Sequence, residues 1–148
     1  MNIQTQPTLQ RTLPQPTGIR PEKTAEEPAS GPDLVVDRII PSNSFPRAGD
    51  PVWFDVIVKN RGNEAASSFT MQISAQGLRQ DARAQQGLAA GAQVAFRSLG
   101  PLWTNMGDSL IWVEAKADTR NEVRETREDN NWMQTTLNVS NPFPPTPP

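Results

Sequence analysis

The sequence predicts an all-β fold, an antiparallel two-sheet sandwich of six or seven strands in one domain with an extended segment at either end. Three observations carry this. Apolar residues alternate at period two in short segments, with turn signals between them at the spacing of about 8–12 residues that sandwiches show. No stretch has the 3.6-residue period of an amphipathic helix. A long run of charged and amide residues, Asp118–Asn131, joins two alternating segments, as expected of an ordered hairpin connection whose Asx side chains bond back to neighbouring backbone.

Of the 15 prolines, six lie in residues 1–32 and five in residues 142–148. Residues 1–32 are Gln/Thr/Pro-rich and show no apolar periodicity, so ordering them alone gains too little burial to offset the entropy lost. They read as a polyproline-like arm, neutral because Arg11, Arg20 and Lys23 balance Glu22, Glu26 and Glu27. At about 3.3 Å per residue such an arm reaches on the order of 100 Å, enough to lie across a neighbouring subunit. Residues 141–148 form a second proline-rich tail, which leaves residues 33–140 as the folded domain.

Within that domain, Pro32-Asp-Leu-Val-Val-Asp-Arg-Ile-Ile40, closed by Pro41, fits a short edge strand. Next, Val52, Phe54, Val56 and Val58 alternate onto one face of a second strand. Asn60-Arg-Gly-Asn63 is a turn in which Gly62 can take positive φ at no steric cost. Phe69, Met71 and Ile73 share one side of a third strand. Residues 77–87 are polar and read as a connection holding at most one short strand. After the Leu88-Ala-Ala-Gly91 turn, Val94 and Phe96 mark a strand over about 92–99, and Gly100–Gly107 reads as a loop between sheets. In the last hairpin Ile111, Val113, Ala115, Met133, Leu137 and Val139 are expected to face inward.

Composition narrows the chemistry. The chain has no cysteine and no histidine, so thiolate metal sites, disulfides and histidine general-base catalysis are excluded. A Ser–Lys arrangement would have to use Lys23, Lys59 or Lys116, and no local signature selects a carboxylate pair or a phosphate-cradling loop. No enzyme and no cofactor are expected. The net charge of −2 argues against nucleic acid as a partner. No run of 18 apolar residues suggests a membrane span, and the first residues lack the apolar core of a secretory signal.

Two groups of residues are candidate sites. Trp53, Ile57, Leu110, Trp112 and Trp132 fall on the parity opposite the core residues of their strands. They read either as interaction anchors on the outer faces or as side chains packed beside a bulge or under the end segments. Asp118, Asn121, Glu125, Glu128, Asp129, Asn130 and Asn131 concentrate oxygen ligands of the type calcium takes. Their spacing does not match an EF-hand, and Arg120, Arg124 and Arg127 interleave with them. The preferred reading is a structural connection whose Asx residues cap their own turns, with no metal.

Several of these segments together resemble a known family. Pro32-Asp33-Leu34, Gly49, Val58-Lys-Asn60-Arg-Gly62, Leu88-Ala-Ala-Gly91, Asp118 with Asn121-Glu-Val123 and Glu125, and Glu128-Asp-Asn130-Asn131 follow the order and spacing of the CARDB domain (cell-adhesion-related domain found in bacteria). The resemblance spans about residues 32–139. It implies a seven-stranded immunoglobulin-like sandwich and a role, generally without catalysis, in surface and extracellular multidomain proteins. The sequence departs from it in showing one copy, with no leader expected, and in its outward tryptophans.

The expected function is therefore a non-catalytic structural module that binds other protein chains of an assembly. A virion decoration or accessory protein docked by its arm is preferred over a secreted cell-surface location. The alternatives are a bacterial surface adhesion module and a carbohydrate binder that stacks sugars on Trp53, Trp112 or Trp132.

Overall fold

The computed structural model describes residues 30–105 and 110–140. Most of the expected N-terminal arm (1–29) and the tail (141–148) therefore lie outside the described residues. Seven strands appear: β1 (Leu34–Pro41), β2 (Pro51–Asn60), β3 (Phe69–Ala75), β4 (Leu78–Ala84), β5 (Gln93–Trp103), β6 (Leu110–Lys116) and β7 (Trp132–Asn138). They form a three-stranded sheet, β1-β2-β5, facing a four-stranded one, β4-β3-β6-β7, with every pairing antiparallel. No helix among the described residues is long and apolar enough to cross a membrane.

The core lies between the sheets. Val52, Phe54, Val56 and Val58 of β2 meet Phe69, Met71 and Ile73 of β3 and Ile111 and Val113 of β6, all fully or almost fully buried. Phe69 and Phe96 pack edge-on, with ring centroids 6.3 Å apart. Burying each large aliphatic or aromatic side chain contributes about 1.5–3 kcal/mol. The inward residues expected of the last hairpin are buried except Met133, which is half-buried.

The one short strand allowed for in the polar stretch after Gly77 is present as β4, paired along its whole length with β3. Three expectations are corrected. The segment read as a loop from Gly100 is the second half of β5: Leu102 is buried opposite Val52, and the register shifts where the chain passes Gly100. At that position φ is +127°, and an added Cβ would stand 3.0 Å from the Val52 carbonyl oxygen. Gly62 does not adopt positive φ. It is needed for close approach, because a Cβ there would collide with the Gly31 carbonyl oxygen and lie 2.7 Å from the Asp33 nitrogen. Ile57 does point to the outer face, but it is only 6 % exposed; it lies in the central strand, flanked in register by Arg38 and Ala95.

Candidate functional site: a polar clamp and an aromatic surface

The connection from β6 to β7 is ordered by its own side chains. Asp118, at φ +53°, accepts the Glu122 N–H on Oδ1 at 2.7 Å and the Val123 N–H on Oδ2 at 3.0 Å. Asn121, also at φ +53°, donates its N–H to the Asp118 carbonyl. Asn and Asp tolerate this conformation because their short side chains bond locally. Glu128 turns back to accept the Glu125 N–H at 3.0 Å.

The same connection grips the start of β1. The fully buried Glu125 carboxyl accepts the Leu34 N–H at 2.7 Å and the Asn131 side-chain amide at 2.7 and 2.9 Å. That amide also donates to the Leu34 carbonyl, while Asn130 donates to Asp33 and the Thr126 N–H to the Pro32 carbonyl. From the other side, Asn60 satisfies four backbone groups at once. Its Oδ1 accepts from Asp33 and Gly62, and its Nδ2 donates to the carbonyls of Glu64 and Leu88. Pro32-Asp33-Leu34 is thus held from two sides, by the β6–β7 connection and by the last residue of β2.

Burial pushes the Glu125 carboxyl up to about 8. The hydrogen bonds from Leu34 and Asn131 pull it down, while the neighbouring Glu128 and Asp118 push it further up. Asp118, Glu125 and Glu128 each bring a carboxylate oxygen within 4.8 Å of the others. Of the arginines in the connection, Arg127 pairs locally with Asp129, whereas Arg120 reaches Asp81 on β4. Arg83 of β4 bonds Glu122 at 3.0 Å and holds its carboxyl below the usual range.

The tryptophans do stand outside. On β6, Leu110 and Trp112 (58 % exposed) share the outer face of the four-stranded sheet with Trp132 of β7 (53 %), which lies opposite Lys116. Trp53 (39 %) lies on the outer face of the other sheet, so the structure does not gather the predicted residues into one patch. Two exposed aromatics escaped the sequence reading: Trp103 (60 %), opposite Pro51, and Phe45 (73 %) in the loop after β1. The parity of Trp103 could not be assigned while its segment read as a loop.

Comparison with solved structures places the fold. A CARDB domain from Pyrococcus furiosus, solved as a crystal structure in complex with di-metal ions, is similar over 75 % of this chain and 96 % of that one, with 22 % identity and a TM-score of 0.58. The solution structure of a domain from a protein of Methanosarcina acetivorans, described as a cell-surface protein, covers 73 % and 91 %, with 21 % identity and a TM-score of 0.58. No curated protein matches the chain. The CARDB family model matches residues 31–135, a stretch that includes every residue of the clamp, and the chain belongs to the CARDB family of immunoglobulin-like domains.

Proposed function

We propose that the domain is a non-catalytic protein–protein interaction module. It docks onto another chain of an assembly through the outer face of its four-stranded sheet, where Leu110, Trp112 and Trp132 stand exposed. The observation that carries this reading is the placement of two large aromatics on one solvent-facing sheet surface, since buried aromatic anchors dominate interface energetics. A virion or similar particle suits the 32-residue arm, because a proline-spaced segment that orders on binding can wrap a neighbour. A cell-surface adhesion role is the second reading, favoured by the family and by the cell-surface description of the Methanosarcina protein.

Co-sedimentation with purified particles tests the first reading. Trp112→Ala is expected to weaken association about 30-fold or more, the loss typical of an interface anchor. Removing residues 1–29, which leaves the bonded Gly31 and Pro32 in place, should weaken it further. Undiminished binding by both variants would defeat the docking reading. Binding to intact bacterial cells but not to particles would favour adhesion, and glycan-array binding lost with Trp112→Ala would favour a carbohydrate partner.

The acidic cluster has a structural role in this reading, because Asp118, Glu125 and Glu128 all spend carboxylate oxygens on backbone N–H groups. Millimolar calcium is accordingly expected to leave the melting temperature unchanged. A rise on titration with a divalent cation would instead make the cluster a metal site, as ligand binding to the native state must stabilise it.

A further inference from the structure

A second aromatic surface, which joins Trp53 to the unforeseen Trp103, lies near where the chain leaves the domain. Pro51, Trp53, Pro101 and Trp103 follow the outward parity of β2 and β5 on the face of the three-stranded sheet. Pro51 opposes Trp103, and a Cβ on Gly100 would come 3.5 Å from Trp53 Cα, so the second tryptophan sits just across from Gly100–Pro101. Beside this platform runs the loop after β1, tied to it by paired bonds between Ser42 and Trp53 and carrying the exposed Phe45.

Ser140 ends against that loop. It donates its N–H to Pro46 at 2.9 Å and accepts from Ala48 at 2.8 Å, forming a parallel bridge with Arg47. The eight residues that follow, Asn141-Pro-Phe-Pro-Pro-Thr-Pro-Pro148, hold five prolines, one phenylalanine and no charge. As a polyproline segment at about 3.1 Å per residue they extend about 25 Å. The platform is far smaller, about 7 Å along β2 and about 5 Å across to β5. Proline rings dock on aromatic surfaces with little entropy left to lose, and a short tether supplies a millimolar effective concentration.

We propose that the Trp53–Trp103 platform is the docking site of the chain's own proline-rich segment, residues 141–148. It is a different surface from the partner-binding face of β6 and β7, so either assignment can fail without the other.

The test compares the full chain with a chain ending at Ser140, using the indole N–H signals of the four tryptophans in a nitrogen–proton correlation spectrum. Single Trp→Phe variants assign the signals. Truncation is expected to shift Trp53 and Trp103 and to leave Trp112 and Trp132 in place, and a free peptide of residues 141–148 should restore the shifts at millimolar concentration. In the full chain, Trp103→Ala should move the signals of residues 141–148 to those of the free peptide. Unmoved Trp53 and Trp103 signals on truncation would overturn the proposal. Shifts that depend on protein concentration, with a doubled mass in light scattering, would overturn it in favour of a segment supplied by a second copy.

Discussion

Asn60→Ala is expected to destabilise the domain by about 3–4 kcal/mol, one of the two largest effects foreseen for single substitutions outside the apolar core. The side chain is fully buried and bonds four backbone groups, two N–H and two carbonyls, which come from three separate segments. Alanine offers none of these partners. Each buried group left unsatisfied costs about 1–3 kcal/mol, partly recovered where water enters the space vacated. Asn60→Asp keeps the acceptor but sets a buried carboxylate oxygen against the Glu64 and Leu88 carbonyls, so at neutral pH it should lose at least as much as alanine. Urea unfolding of both variants measures this, and a loss below about 1 kcal/mol for alanine would show that the four bonds contribute little net stability.

A second large effect is expected from pH. The Glu125 carboxyl titrates near 8 in the folded chain against an ordinary value of 4.5, chiefly because it is buried. Between these values the native state holds a proton that the unfolded chain has released. Stability therefore falls as pH rises from about 4.5 to 8, with a limiting slope of about 1.4 kcal/mol per unit, and levels off above. Glu125→Gln preserves an acceptor for the Leu34 N–H and cannot ionise. It should match the parent near pH 5 and exceed it by about 3–5 kcal/mol at pH 9, the gap opening across the titration. Unfolding free energies of the two proteins measured from pH 4.5 to 9 give the comparison. Parallel profiles would mean that the buried carboxyl is ionised throughout.

What the sequence revealed, and what it hid, follow from where the information lies. Val52, Phe54, Val56 and Val58, or Ile111, Val113 and Ala115, announce themselves because one face of each strand is apolar and the other is not. β4 lacks that contrast. It is an edge strand whose outward residues are Arg79, Asp81 and Arg83 and whose opposite face is mostly Gln80, Ala82 and Ala84, so its only strong signal is its pairing with β3. The second half of β5 was hidden by Gly100-Pro101, a turn-like pair that the register shift absorbs. Local bonding around Asp118 and Asn121 was readable, since the partners are within five residues. The grip of Glu125 and Asn131 on Leu34 was not, because 91 and 97 positions separate the partners. The outward side of the tryptophans followed from parity alone, whereas the burial of Ile57 depends on the neighbours that flank it.

The clamp and the bridge at Ser140 also fix how the polypeptide traverses the sandwich. It enters beside Asn63 and Glu64, where Ser30 and Gly31 are bonded, and leaves past Arg47 at the far pole, beyond the last residue of β7. Tension drawn through the flanking segments would thus run along the strand axes. The rungs between β1 and β2 would be sheared together instead of unzipping one by one, and Glu125 and Asn131 would hold the first residue of β1 against the pull.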